Sequence, residues 1–424
     1  MINDVLLSTQ SDFIKIPYFE NIVDTFPLDR DSIPQKKLNL IDRSKTNLFT
    51  WRGQFSPDLI KLFLDNYSKL GDVVLDPFVG CGTTLFESAN KSLSCIGVDV
   101  NPAAIEISRT VLFSKIEKKE RMAYLTEAKK IIDKYLPEKY DWSNYVIGDS
   151  FENNVNYSEI YRMMIENSLI NPYIYNIIIN TIMRYFISNN GKKSFYQSFN
   201  THKDIILDKI PYNRDKVYDV FQTDARNIPI KNESINLIIT SPPYINVFNY
   251  HENYREIMEL IGWDILKVAK SEIGSNRQNR GNRYLTVIQY SADMMQSLME
   301  MKRVIKKDGR IIIIVGRESK VKGTSFPNYK IISILAQICA GLTLIKRQER
   351  QFTGRFGEKI IEDILHFKPN ENELNFSLDV PRTVGKYFLE KALSYANEDE
   401  KTLILSAIKK SEKVNPSSLF LTQV

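Results

Sequence analysis

The chain has 424 residues, of which 43% are hydrophobic and 25% charged, with a formal net charge of +6, three cysteines and three histidines. That length holds one large domain with insertions, or two to three ordinary ones, and the composition builds a packed core. Cys81, Cys95 and Cys339 form no CxxC pair, which argues against a disulfide framework or a zinc site, and the few histidines argue against a histidine-rich metal centre, so no metal is expected.

Residues 1–48 carry no motif, and the opening MINDVLLSTQSDFIK lacks the basic start and apolar core of a secretory signal, which points to the cytoplasm. No apolar run is long enough to span a bilayer, so no membrane partner is expected. In SPDLIKLFLDNYSKL the spacing predicts a helix capped by Ser56, with Pro57 at its first position and Gly71 as its stop. The next stretch predicts a strand Val73–Leu75, a glycine turn, a helix from Thr83 to about Asn90, a strand Ser94–Val98 and a helix after Pro102. This βαβα alternation opens a doubly wound parallel sheet. Residues 115–215 break the alternation with helical patterns and read as an insertion. Strands then return in YDVFQTDARNIP and SINLIITSPPY, followed by helical YREIMELIGW and the basic stretch GSNRQNRGNRY. The helix SADMMQSLMEMKRVIK leads into the strand RIIIIVG. A helix around 328–340, a hairpin made of LTLIKRQERQF and EDILHFKP, and a helical 370–424 complete the chain.

Chemistry concentrates at the predicted strand ends. In LDPFVGCGTT, Gly80 and Gly82 let the backbone turn sharply against a ligand. No Lys-Ser/Thr follows, so this is no P-loop, and Leu85 occupies the third glycine position of a dinucleotide fingerprint. Asp99, ending the next strand, can accept hydrogen bonds from both hydroxyls of a ribose. Asp76 beside the glycines can face an ammonium and would repel a phosphate. Asp224 in QTDARNIP can accept from an adenine amino group. Each aspartate alone could simply cap the helix that follows it. Three at successive strand ends point to a ligand with a ribose and an ammonium, which S-adenosylmethionine fits. TSPPY leaves its strand through two prolines that supply no ladder N–H, giving either a rigid strand exit or the lip of a pocket.

These residues resemble a known family. DPFVGCGTT resembles the cofactor motif of the DNA amino-methyltransferases, and TSPPY their catalytic motif. FTWRGQFSPDLI is similar to the segment that closes over the cofactor's methionine, and DVNPAAIEIS to the ribose-binding strand end. SPPYINVFNY followed by IGW resembles the branch with serine first, typical of cytosine-N4 enzymes. The match spans about 49–113 and 217–368. It implies an α/β fold: a doubly wound, mostly parallel seven-stranded sheet of Rossmann-like methyltransferase type with a helical insertion.

Position by position, the resemblance implies a methionine end at Asp76, Phe78, Gly80 and Gly82, with Phe55 and Ser56 in the closing segment. It puts the ribose on Asp99 and the adenine between Asp224 and Ala225. Thr83 and Asn101 complete the cofactor set. Ser241, Pro242, Pro243 and Tyr244 form the base pocket, in which Ser241 Oγ and the Pro242 carbonyl would hold the amine and Tyr244 would stack on a flipped base. A carbon-5 cytosine enzyme would need a Pro-Cys thiol, and no cysteine here follows a proline.

The expected domain limits are 1–48, a cofactor part 49–114, an insertion 115–215 that is the first candidate for target recognition, a catalytic part 216–369 and an extension 370–424. Arg277, Arg280 and Arg283 form either a mobile loop over the DNA backbone or a solvated surface loop. The expected function is site-specific methylation of cytosine N4 in duplex DNA, by direct transfer to a flipped base, in a restriction–modification system. A monomer is expected. The implied partners are double-stranded DNA and a cognate endonuclease that shares the site without needing contact. Adenine N6 is the runner-up, since some adenine enzymes also carry serine. An RNA base methyltransferase and an inactive cofactor-binding scaffold are the readings from other classes.

Overall fold

Apolar Val73–Asp76 forms strand β1 in a computed structural model that describes residues 15–41, 46–136, 157–187, 194–245, 250–275, 279–354, 357–371 and 377–421. The other strands are β2 (Ser94–Asp99), β3 (Tyr218–Gln222), β4 (Ile235–Thr240), β5 (Ile305–Gly316), the small pair β6 (Ser319–Val321) and β7 (Thr324–Phe326), and the hairpin β8 (Leu342–Thr353) with β9 (Lys359–Pro369). The main sheet has seven strands in the order β3-β2-β1-β4-β5-β9-β8. The first five are parallel, and β9 lies antiparallel to both β5 and β8. This is the doubly wound α/β sheet that the alternation of segments predicts. Strand order reverses between β1 and β4, the kind of switch point at which such sheets bind ligands.

The helices before the insertion are α1 (15–25), α2 (Gln35–Leu38), α3 (Pro57–Tyr67), α4 (Thr83–Asn90) and α5 (Pro102–Ser108). Four follow: α6 (Lys118–Tyr135), α7 (Tyr157–Ser168), α8 (Pro172–Ile187) and α9 (Phe195–Asp204). Next come α10 (Arg255–Leu260), α11 (Ile265–Ser271), α12 (Leu285–Val304), α13 (Asn328–Ile338), α14 (Asp379–Ala392) and α15 (Glu398–Lys410).

Because side chains alternate across a strand, each strand feeds both faces of the sheet. Val74, Ile312 and Ile314 join one apolar cluster with Leu59 of α3, Leu85 of α4, Leu125 of α6, Met164 of α7 and Ile178 of α8. Leu75, Ile311 and Ile313 join the other, with Leu298 of α12, Ile331 of α13, Phe388 of α14 and Ile404 of α15. The helices of 118–204 therefore share one core with α3 and α4.

Two local expectations need correction. Ser56 occupies the N-cap position of α3, but its side chain makes no capping hydrogen bond, and Pro57 supplies the helical φ instead. The helix ends at Tyr67, where the Ser68 hydroxyl donates to the Leu64 carbonyl at 2.6 Å; Gly71, at φ +92°, makes the later turn into β1. The edge strand β8 is covered by 28–39: Asp29 N donates to the Arg347 carbonyl at 2.8 Å, and Gln351 N to Asn39 Oδ1 at 2.9 Å.

Candidate active site

At the carboxyl ends of the parallel strands lies a cavity of about 1360 Å³. Pockets for one small ligand run to roughly 1,000 Å³, so this one has room for two side by side. Its lining includes Phe55, Ser56, Asp76, Phe78, Gly80, Thr83, Asp99, Asn101, Asp224, Ala225, Ser241, Pro243 and Tyr244, which brings together residues from widely separated parts of the chain. Gly82 and Pro242 are not in the lining. Gly82, at φ +82°, is the left-handed N-cap of α4, and a Cβ there would stand 3.1 Å from Ser108 Cα, so its constraint is packing. Among the described residues, none from 115–215 lines the cavity.

Asp76 ends β1 and is buried. Its Oδ1 accepts from Phe78 N at 3.1 Å and from the Thr240 hydroxyl at 2.6 Å, and its Oδ2 from the Thr84 hydroxyl at 2.7 Å. All three donors are neutral, and no lysine or arginine among the described residues pairs with it. Burial pushes the carboxyl up to about 6 against those hydrogen bonds. Asp99 ends β2 and accepts from Gly80 N at 3.0 Å and Asn101 N at 2.9 Å; burial raises it to about 6 as well. Gly80 adopts φ +49°, and a Cβ there would lie 3.1 Å from Trp51 Nε1, so the indole sits close over the turn. Trp51 stacks on Tyr254 at 5.9 Å, and the Tyr254 hydroxyl donates to the Thr50 carbonyl at 2.7 Å.

Asp224 corrects a sequence expectation. Its carboxylate is fully engaged: Oδ1 accepts from Arg226 N and Nε at 3.0 and 2.8 Å, and Oδ2 from Arg226 Nη2 and Phe420 N at 2.7 and 3.0 Å. With four donors it has no acceptor position left for an adenine amino group. What remains at this border is the main chain of 224–225.

Ser241 to Tyr244 leave β4 immediately after Thr240, the residue that grips Asp76. Ser241 Oγ and the Tyr244 hydroxyl are 3.2 Å apart. The Tyr244 ring lies against the end of β5, where a Cβ on Gly316 would stand 3.0 Å from its Cε2. A Cβ on Gly274 would come 2.7 Å from the Tyr244 carbonyl oxygen. Beside Gly274, Glu272 lines the cavity and accepts from His251 Nδ1 at 2.6 Å and from the His251 main-chain N. Arg280 and Arg283 are exposed and outside the cavity lining. Arg277 lies outside the described residues.

A sequence profile described as DNA methylase matches residues 22–110, which include Asp76, the glycine turn and Asp99. The chain is 21% identical over 400 residues to the type II methyltransferase M.MjaII of Methanocaldococcus jannaschii, covering 67% of this chain and 74% of the relative. It is also 21% identical over 311 residues to the type II methyltransferase M.BsoBI of Geobacillus stearothermophilus, covering 57% and 61% respectively. Profile and relatives alike support the DNA amino-methyltransferase family for this chain. Among solved structures, an S-adenosylmethionine-dependent methyltransferase of Methanosarcina mazei matches at 11% identity and a TM-score of 0.32, over 73% of this chain and 98% of that one. At that score the likeness carries no argument, and the fold assignment rests on strand order.

DNA methylases use S-adenosylmethionine, and this lining suits it. The buried Asp76 carboxylate, held only by neutral donors, gains from an ammonium. Asp99 keeps acceptor positions for vicinal hydroxyls. Several contributors escaped the sequence reading. Thr84 and Thr240 reach Asp76 only because β4 lies beside β1, which no local pattern announces. Arg226 sits two residues after Asp224, a spacing that could have suggested the pair. Among the described residues no cluster of His, Cys, Asp and Glu could hold a metal ion, and no helix is long and apolar enough to cross a membrane.

Proposed function

We propose that this chain methylates the exocyclic N4 amine of cytosine at a specific site in duplex DNA, as the protective enzyme of a type II restriction–modification system. The observation that supports this reading is the Ser-Pro-Pro-Tyr turn leaving β4 directly beside Asp76, joined to it through Thr240. Bound S-adenosylmethionine would supply an electrophilic sulfonium methyl, its C–S bond breaking as the amine nitrogen gains the methyl and gives one proton to solvent.

The protein's part is positioning, because the amine's lone pair is delocalised into the ring. Ser241 Oγ, which lines the cavity, accepts from an amine N–H group and draws the nitrogen toward tetrahedral geometry. Tyr244 stacks on the base, which is turned out of the duplex, and offsets part of the unstacking cost. Asp76 takes the cofactor's ammonium, Asp99 its ribose, and the main chain at 224–225 its adenine. Phe55, Ser56, Phe78, Gly80, Thr83 and Asn101 complete that surface. Arg280 and Arg283, both exposed, meet DNA phosphates, and Arg277 of the same basic stretch of sequence joins them. The segments 49–114 and 216–369 act as one catalytic unit.

Cytosine is chosen over adenine because the motif begins with Ser241. The test is mass spectrometry of nucleosides from DNA of a methylation-free host expressing the chain. N4-methylcytosine is expected. N6-methyladenine alone would move the assignment to the adenine branch, and no methylated base would remove it.

A further inference from the structure

Beyond the short turn Ser411–Lys413, the chain runs without regular structure from 414 to 421, and Ser417 and Phe420 are buried beneath the cavity's β3 border. The hub there is Arg226, whose side chain is 1% exposed. Its fork holds Asp224 through Nε and Nη2 at 2.8 and 2.7 Å. Nη1 donates to Asp293 Oδ1 at 2.8 Å and to the Ser417 carbonyl and hydroxyl at 2.8 and 3.0 Å, while Nη2 reaches the Ser418 carbonyl at 3.0 Å. The strap answers with its own donors: Phe420 N to Asp224 Oδ2 at 3.0 Å, and Ser417 N to Asp293 Oδ1 at 2.8 Å. Lys267 Nζ lies 5.1 Å from the centre of the Phe420 ring, which ties α11 to the same point.

We propose that the strap Ser417–Phe420, acting through Arg226, is a positioning element of the cofactor site that fixes the purine end. This rests on the cofactor assignment above. Asp224 and Ala225 line the cavity, and the strap holds them from behind. A purine edge is recognised by main-chain N–H and C=O groups at set angles, and a surface turn of this kind holds such angles only if it is immobilised. Here the Asp224 carboxylate is used up in clamping the turn, which leaves the main chain as the recognising surface. The strap also touches a second segment of the lining. The Ser417 hydroxyl donates to the Ser271 carbonyl at 3.4 Å, and Ser271 and Glu272 line the cavity. Cofactor affinity therefore depends on residues about 190 positions away in sequence from the turn they support.

The test is calorimetric titration of S-adenosylhomocysteine into the full chain and variants, with Tm and affinity for a duplex DNA fragment measured in parallel. Phe420→Pro deletes the N–H given to Asp224 and is expected to weaken cofactor-product binding at least fivefold, with DNA affinity within twofold of the parent. Leu421→Pro, one exposed residue further on, is expected to bind within twofold. If Phe420→Pro fails to fold, Ser417→Ala, which removes one hydroxyl, is read instead and is expected to bind about threefold more weakly. Parent-like affinity in whichever of these variants is read overturns the proposal. Equal losses of DNA and cofactor-product binding also overturn it, by making the strap a general structural element. A parent that binds no S-adenosylhomocysteine overturns the cofactor assignment and the strap's role together.

Discussion

The hydroxyl of Tyr244 stands 3.2 Å from Ser241 Oγ, so the first and last residues of the motif meet across its two prolines. A Ser241 hydroxyl that donates to Tyr244 keeps both lone pairs for amine N–H groups. Tyr244→Phe should therefore lower kcat severalfold and leave the KM for DNA unchanged. Tyr244→Ala also removes the stacking face, worth about 2 kcal/mol, and should raise the DNA KM roughly thirtyfold. Steady-state kinetics on duplex DNA decides it: equal defects in the two variants would rule out stacking as the ring's contribution.

Gly316 sets where that ring lies. A Cβ 3.0 Å from Tyr244 Cε2 forces the ring to move by a few tenths of an ångström. A displacement of about 1 Å can cost about a hundredfold in rate, so Gly316→Ala should lower kcat by roughly tenfold. Binding of S-adenosylhomocysteine should be unchanged, since the glycine meets the base side. An unaltered kcat in a folded variant would show that the ring's position is not critical.

The acids at β1 and β2 give opposite pH dependences to stability and binding. Asp76 and Asp99 rise from 3.8 to about 6 because burial disfavours their charged forms. The folded state thus prefers them protonated, and this contribution to stability is present below about pH 4 and lost as pH rises through about 6. An ammonium requires the charged form. Affinity for S-adenosylhomocysteine should therefore fall about tenfold per pH unit below about 6 and level off above pH 7. Asp76→Asn removes the buried charge, so at pH 8 it should bind the ligand at least tenfold more weakly with a Tm equal to or above the parent's. A lowered Tm with intact binding would contradict this.

Arg226 lies between Asp224 and Asp293, and burial raises Asp293 to about 7 in spite of the guanidinium. Removing the cation leaves two buried carboxyls without it. Arg226→Ala should lower unfolding stability by about 3–5 kcal/mol, read from urea denaturation at pH 8. The loss should shrink toward pH 6 as Asp293 protonates. A pH-independent loss would show that lost packing, not uncompensated charge, dominates.

The sequence carried much of the fold because its signals were local. The apolar runs at 73–75 and 235–240, the glycine turn after the first of them and the paired runs of the closing hairpin are patterns that neighbouring residues establish together. Helix limits were less legible. Gly71 looked like the stop of α3, yet a Ser68 side-chain hydrogen bond ends it earlier. For the site, residue types at strand ends indicated where chemistry gathers. Asp224 shows the limit: its position was readable, but whether its carboxylate faced a ligand depended on Arg226 and on Phe420, almost two hundred residues away.

By itself, then, the sequence determined the alternating strands and helices, the acids at three strand ends and the rigid Ser-Pro-Pro-Tyr turn, because periodicity and proline or glycine geometry act over a few residues. Tertiary structure alone decided which of those acids has acceptor positions left. It set Thr240 on Asp76, laid Tyr244 on Gly316 and brought Phe420 to Asp224. Those relations follow from strand order and chain crossing, and a hydrogen bond between residues far apart in sequence leaves no local pattern to read.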